Sequence, residues 1–385
     1  MKKRIVLLGS TGSIGENALR VVSHLSAELT VLGLAAGRRA DRVSEQAAAF
    51  GCNWVYVAEA DARSSMKIGL PDGVRVLRNE EALCKAVAHP EVDIVLCAIV
   101  GTGGLRPVLS AIRAGKDIAL ASKEILVMAG ELVMAEAERC GVRIISVDSE
   151  HSALFQCLEG RRIDHVRRLV LTASGGPFRE FTEADLHKVT PEQALAHPTW
   201  TMGAKITIDS ATMMNKGLEL IEARWLFGLQ PDSIDVVVHP QSVIHSLVEF
   251  VDSSTLAQMS YPDMCVPIQY ALTFPERRGG LLEPLDFTKR LDLSFLPPDN
   301  ARFPAINLAR EALSRGGTAP AVYNAANEVA VESFCSKRIS FPQIWQTVES
   351  VLKKHMPTQK PTLEDILAAD DWARQATRSA CLGNG

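Results

Sequence analysis

The chain has no run of apolar residues near the roughly 18 that a membrane-crossing helix needs, so a soluble protein is expected. It has no basic excess either. Its 41 Lys and Arg stand against 45 Asp and Glu, a formal net charge of −4, which is not the electrostatic footprint of a nucleic-acid partner. Any phosphate site must therefore be built locally, against the sign of the whole surface. Its eight cysteines, at 52, 84, 97, 140, 157, 265, 335 and 381, form no Cys-x-x-Cys pair and no regular spacing. Most sit in apolar segments, as Cys97 does after Val95 and Leu96, and read as reduced core thiols of a cytoplasmic protein rather than a disulfide framework. Met1-Lys2-Lys3-Arg4 followed by Ile5 to Leu8 mimics a secretory leader. The apolar run ends after four residues at Gly9 with no small-residue cleavage site, so it reads as a strand. There is no internal repeat and no low-complexity tract.

What is present is 385 residues of ordinary globular composition, too long for one core, so two or three domains are expected. Residues 1–148 alternate short β-branched runs (4–8, 30–35, 54–58, 93–99, 117–121, 143–147) with helix-length segments (14–24, 80–88, 105–114, 124–139). Continuous apolar strands alternating with helices predict a Rossmann-like, doubly wound parallel sheet, an α/β domain. Residues 149–284 read as an α+β middle domain, with strands at 166–173, 206–208, 234–239 and 243–250. The link Pro240-Gln241-Ser242 suggests an antiparallel pair. Residues 285–304 read as a linker. Residues 305–385 read as a C-terminal helical bundle, with helices at 305–315, 320–335, 341–355 and 363–377.

Gly9-Ser10-Thr11-Gly12-Ser13-Ile14-Gly15 lies between the first strand and the first helix. The spacing is G-x-x-G-x-x-G rather than G-x-G-x-x-G, yet the physical demand is the same. The chain must turn tightly, and its backbone must approach a pyrophosphate at a helix N-terminus. A plain tight turn is the alternative. The second strand ends in Gly37-Arg38-Arg39 with no acid before Asp41, which favours the 2′-phosphate of NADP(H) over the ribose hydroxyls of NAD. A solvated basic turn is the bland reading.

Asp148 and Glu150 stand at the end of the last strand of the first domain. Residues i and i+2 of a strand share a face, so the two carboxylates are expected to converge as a hard-cation site. Further on, Ser210-Ala211-Thr212-Met213-Met214-Asn215-Lys216-Gly217 reads as a polar turn into a helix over 218–227, where Glu219 and Glu222 share one edge. An oxygen-only donor set suits Mg²⁺ or Mn²⁺, and the alternative is a pair of surface glutamates. Ser174-Gly175-Gly176, after a strand, exposes backbone N–H groups to an anion, and Lys216, Ser210 and Asn215 offer donors to the same phosphate. His197-Pro198-Thr199-Trp200-Thr201-Met202-Gly203 reads as a closing lid, or as a loop that packs Trp200 into the core.

These pieces occur in one order, together with Ser122-Lys123-Glu124, Asp148-Ser149-Glu150, the run from Asp209 to Glu219, and His239-Pro240-Gln241-Ser242. In that order they resemble the 1-deoxy-D-xylulose 5-phosphate reductoisomerase family over nearly the whole chain. The resemblance implies that Asp148, Glu150 and Glu219 bind Mg²⁺ or Mn²⁺, with Co²⁺ also accommodated. It implies Lys123 beside the substrate oxygens, with Glu150 and His197 in the catalytic group. Ser149 and His197 would contact substrate, and Ser174, Ser210, Asn215 and Lys216 would hold its phosphate. Thr11, Gly12, Ser13, Ile14, Gly37, Arg38, Arg39, Ser122, Glu124 and Gly203 would contact NADPH. The family commonly carries Asn at the positions of Ser122 and Arg39. The partners implied are a small sugar phosphate and a second copy of the chain, with no nucleic acid and no membrane. A simple NADP dehydrogenase of the semialdehyde or homoserine type would explain the first domain but not the carboxylates with their phosphate turn. A nucleotide-sensing module is the non-enzymatic alternative.

Overall fold

The structure, a computed structural model, describes residues 2–65, 70–196 and 203–382. In chain order its elements begin β1 Lys3–Leu8, α1 Ser13–His24, β2 Leu29–Ala36, α2 Ala40–Phe50, β3 Trp54–Val57, α3 Ala60–Ser65, β4 Arg75–Leu77 and α4 Glu80–Val87. They continue β5 Ile94–Cys97, α5 Leu105–Arg113, β6 Asp117–Leu120, α6 Lys123–Cys140, β7 Ile144–Ser146 and α7 Ser149–Leu158. The middle of the chain supplies β8 Val166–Ala173, α8 Glu183–Leu186, α9 Pro191–Ala194, α10 Ala204–Ala211, α11 Met214–Phe227, β9 Ile234–Val238, β10 Ile244–Phe250 and β11 Thr255–Met259. Five helices complete it: α12 Cys265–Thr273, α13 Ala305–Arg315, α14 Ala319–Cys335, α15 Gln343–Lys354 and α16 Leu363–Leu382.

Two compact units result. The first comprises residues 1–125, 133–152 and 263–284, the second 126–132, 153–262 and 285–385. These lines differ from the segments 1–148 and 149–284 expected from the chain. Cys265, Ile268, Ala271 and Leu272 of α12 join the core of the first unit rather than that of the segment preceding them.

In the first unit seven strands form one parallel sheet in the order β4-β3-β2-β1-β5-β6-β7. Ile5 to Leu8 of β1 and Val95 to Cys97 of β5 are wholly buried, as befits strands covered on both faces. The helices are amphipathic. In α5, Leu105, Val108, Leu109 and Ile112 recur at helical spacing and are buried. The strand order reverses between β1 and β5, and an open α/β sheet presents its ligand crevice at that switch point, at the carboxyl ends of the strands.

In the second unit a four-stranded sheet runs β11-β10-β8-β9. Strand β8 pairs parallel with β9 and antiparallel with β10. The link 240–242 is therefore not a hairpin, because β8 lies between the strands it joins. The sheet's antiparallel pairs are β8–β10 and β10–β11, the latter strand having escaped the sequence reading. Residues 206–208, expected as a strand from Ile206-Thr207-Ile208, lie instead inside α10. Burial of Thr207, Ile208 and Ala211 on one face, with the Thr207 hydroxyl on the Gly203 carbonyl, outweighs the local β-propensity. The helices α13 to α16 fall close to their expected places, around Tyr323, Phe334 and Phe341. Helix α6 kinks at Ala129 (φ −134°, ψ 25°), where Gly130 lacks the Cβ that would meet the Trp225 ring at 2.2 Å.

Candidate active site

The glycine turn of the first unit is built on missing side chains. Gly9 has φ 88°, and a Cβ there would meet the Ala98 carbonyl oxygen of the β5 exit at 2.4 Å. A Cβ on Gly15, one turn into α1, would sit 2.3 Å from the Gly9 carbonyl oxygen and 2.4 Å from Ser10. Gly12 is less crowded, its nearest atom being 3.4 Å away. Gly9 and Gly15 thus let the turn, strand and helix close on one another, while Gly12 opens α1 with no side-chain cap, leaving its first N–H groups for an anion. Gly9 and Ser10 both donate to the Ala35 carbonyl of β2, at 2.8 and 2.9 Å, which ties this turn to the strand that leads into Gly37. Thr11 is buried, Ile14 half-buried, and Ser13, Gly37, Arg38 and Arg39 are exposed. Neither arginine has an ion-pair partner among the described residues.

Glu16, in the first turn of α1, would repel an incoming phosphate if it faced the turn. Arg42 instead grips it with two hydrogen bonds of 2.8 Å and holds its carboxyl below the usual range, while Gln46 bridges it (2.9 Å) to the Ser10 carbonyl (3.0 Å). Nothing in the glycine spacing announces this brace.

Ser122, buried at the N-terminus of α6, donates its hydroxyl to the Ile99 carbonyl at the β5 exit. Its proton is therefore committed to backbone. Beside it, burial pushes the Cys97 thiol up to about 11, so this cysteine is a neutral core group. All eight cysteines are unpaired. Glu124 is buried in the first turn of α6.

Asp148 and Glu150 do come together, but not by strand alternation, since β7 stops at Ser146. Asp148 caps α7: its Oδ1 accepts the Glu150 N–H at 3.2 Å and its carbonyl accepts that of Ser152 at 2.9 Å. Both carboxylates thus sit at a helix N-terminus, whose partial positive charge favours anions. Lys123 donates from Nζ to Asp148 Oδ2 at 2.5 Å, both groups being largely buried. The Ser149 hydroxyl donates to Glu150. His151, fully buried with Nδ1 3.3 Å from Asp148 Oδ1, was not singled out from the sequence. Its one signal was the i, i+3 step from the capping acid.

In the second unit the expected polar turn 210–217 is a helix–helix elbow. Met213, at φ 62°, joins α10 to α11, and its carbonyl accepts the Lys216 N–H at 3.0 Å. A non-glycine residue held there is a strained join of the kind found at functional sites. Asn215 donates to Glu219 at 2.5 Å, and the Lys216 ammonium donates to the same carboxylate. The reading of Glu219 and Glu222 as surface glutamates fails, since they are 1% and 0% exposed. Ser174 is half-buried after β8, with Gly175 (φ 81°) and Gly176 (φ 67°) following it. A Cβ on Gly176 would meet the Ser210 carbonyl oxygen at 2.9 Å, so the Ser174 turn lies directly against Ser210. Gly203 is exposed at the N-cap of α10. His197 and residues 198–202 of the expected lid lie outside the described residues.

Three family models match in succession. They are 1-deoxy-D-xylulose 5-phosphate reductoisomerase over residues 5–130, its C-terminal domain over 144–227, and the DXP reductoisomerase C-terminal domain over 259–376. The chain belongs to the 1-deoxy-D-xylulose 5-phosphate reductoisomerase family. A relative of that name from Symbiobacterium thermophilum is 53% identical over 383 residues, 98% of each chain. The solved reductoisomerase of Zymomonas mobilis in complex with NADPH superposes with a TM-score of 0.93 at 42% identity, covering 99% of each chain. A reductoisomerase in complex with NADPH, fosmidomycin and magnesium gives 0.91 at 37% identity, covering 98% of each. The resemblance carried by the motifs is thus matched along the whole length of the chain.

Proposed function

We propose that the chain converts 1-deoxy-D-xylulose 5-phosphate into 2-C-methyl-D-erythritol 4-phosphate, with NADPH and a divalent cation, in isoprenoid precursor biosynthesis. The observation that carries this reading is family membership over the full length, with the motif residues standing at strand ends and helix N-termini. The donors fit both cofactors. Asp148, Glu150 and Glu219 offer carboxylate oxygens in sheltered positions, as Mg²⁺ or Mn²⁺ requires, and Co²⁺ is accommodated by the same set. The glycine turn offers uncapped amides to a pyrophosphate, and Arg38 and Arg39 offer charge to a 2′-phosphate. When bound, the cation polarises the substrate's carbonyl and neighbouring hydroxyl, and NADPH supplies the hydride.

The chain's own residues do the rest. In the rearrangement one carbon–carbon bond breaks and another forms, with no net change of oxidation state, giving a branched aldehyde. A hydride and a proton then reduce that aldehyde to the alcohol. Lys123, held by Asp148, stands beside the substrate oxygens, and Ser149 and His197 contact the substrate. Ser174, Ser210, Asn215 and Lys216 hold the phosphate, so that binding energy far from the reacting carbons is used to position them. Thr11 to Ile14, Gly37 to Arg39, Ser122, Glu124 and Gly203 hold NADPH.

The test is the product's carbon skeleton, read by ¹³C NMR after turnover of deoxyxylulose phosphate. A branched tetritol phosphate is expected. An unbranched alcohol would indicate a simple dehydrogenase, and NADPH binding without turnover a sensor.

We further place the chain in the cytoplasm as a homodimer. Its unpaired cysteines suit a reducing compartment. The edge strand β11, with Leu256 and nearby Val251 exposed, is a surface that a second copy can cover. Analytical ultracentrifugation checks the dimer.

A further inference from the structure

Three polar groups of the second unit remain outside the roles assigned above. Asp209, on α10 one residue before Ser210, is 1% exposed. Asn327, midway along α14, is fully buried and donates from Nδ2 to Asp209 Oδ1 at 2.7 Å. Lys205, one turn back on α10, places Nζ 3.0 Å from Asp209 Oδ2. The carboxylate's charge is felt across the same seam: burial first, and then Asp209, drives the Tyr323 hydroxyl of α14 well above its ordinary range.

Stability is a poor explanation for this arrangement. The Asn327 side-chain oxygen has no hydrogen-bond partner among the described residues. A buried amide that uses only part of its capacity and the buried carboxylate it faces together cost more than two apolar side chains of similar size, although with the carboxylate in place the loss of the amide alone is destabilising. What the pair supplies is register. One charge-assisted hydrogen bond fixes both the rotation and the axial position of α10 against α14. Ser210 follows Asp209 directly, and its carbonyl lies against Gly176, next to Ser174. A turn of α10 about its axis would therefore move the Ser210 hydroxyl and press on the Ser174 turn together.

We infer that Asn327 is a positioning residue for the substrate's phosphate: through Asp209 it holds α10 so that Ser210 and Ser174 present their hydroxyls to one anion. This rests on the reading of Ser174 and Ser210 as phosphate ligands. Asn327 does not itself touch substrate, and its effect is specific to the phosphate end.

The experiment uses full-length enzyme with NADPH and Mg²⁺ and compares Asn327→Leu, Asp209→Asn and the exchanged pair Asn327→Asp with Asp209→Asn. Four quantities are read: KM for deoxyxylulose phosphate, KM for NADPH, the inhibition constant of inorganic phosphate, and the melting temperature. Asn327→Leu is expected to raise the sugar-phosphate KM and the phosphate inhibition constant about tenfold, the effect of losing one such hydrogen bond. NADPH KM stays within about twofold, although the melting temperature falls because the buried Asp209 carboxylate loses a partner. The exchanged pair, which restores an amide–carboxylate bond with donor and acceptor reversed, moves both phosphate-linked values back toward wild type. Should Asn327→Leu fail to fold, Asp209→Asn, which keeps the shape and removes the charge, must raise the same two values alone. Unchanged phosphate-linked values overturn the inference. So does a parallel rise in both KM values, which would mark a purely structural role. Ser210→Ala separates the two levels: no change there in phosphate inhibition sinks the ligand reading itself, whereas a rise there with none in Asn327→Leu sinks only the positioning role.

Discussion

The glycine turn of the first unit and the α10–α11 elbow of the second are built by opposite means. At the turn the groups proposed to hold the cofactor are backbone amides, and the sequence specifies them by leaving side chains out at Gly9 and Gly15. At the elbow the groups proposed to act are charged side chains. Lys216 and Glu219 are sealed from solvent and hold each other, and Asp209 is held by an amide 118 residues away. The turn fails by crowding and the elbow by an unbalanced charge, so the two regions should break differently.

The largest effect belongs to the elbow. Glu219→Gln is expected to lower kcat by at least about a hundredfold, because an amide replaces a carboxylate proposed as a cation ligand, while Kd for NADPH is unchanged. Steady-state kinetics with a fluorescence titration of NADPH checks both halves, and a matching loss of NADPH affinity would erase the distinction. Next comes the turn. Gly15→Val places atoms where the Gly9 carbonyl already stands, and weakening of NADPH binding by roughly 10- to 100-fold is expected. Gly12→Ala, with 3.4 Å to its nearest atom, should lose less. Equal losses would show that space is not what these glycines provide.

Much of the first region was legible. The alternation of apolar runs with helical segments matched six of its seven strands closely, and the glycine spacing located the turn. Missing were β4, only three residues long, and the Glu16–Arg42–Gln46 brace, whose members carry no spacing signal. In the second region tertiary packing overrides local preference. Ile206-Thr207-Ile208 is β-branched yet helical, because one face of α10 is buried against the core of the unit. Asp148 and Glu150 meet through a helix cap rather than strand alternation, and a capping aspartate and a strand-end aspartate look alike in sequence. The burial of Glu219 and Glu222 was invisible, as helical spacing shows which residues share a face but not what covers it.

Two smaller effects sharpen the contrast. Arg38→Ala is expected to raise the NADPH KM about tenfold while leaving that for NADH unchanged, the signature of one lost contact to a 2′-phosphate. A like change for both cofactors would assign Arg38 to solvent. The smallest effect is on stability and belongs to the second unit. His355 is buried against Thr318, its Nε2 2.8 Å from the hydroxyl, and burial, with Arg315 adding to it, lowers its pKa below the usual 6.5. The folded chain therefore binds this proton less readily than the unfolded one. The stabilising contribution of the neutral ring is complete above about pH 6.5 and declines as pH falls from there toward the lower folded value. Thermal melts between about pH 8 and 5 should show a decline that flattens in His355→Gln; parallel profiles would remove His355 from the account.

The most direct test of the central claim follows NADPH absorbance on adding deoxyxylulose phosphate, first with Mg²⁺, then with EDTA, then with Mg²⁺ or Mn²⁺ restored. The account predicts oxidation that stops in EDTA and resumes with the cation. Undiminished oxidation in EDTA, or none with any of these cations, would contradict it.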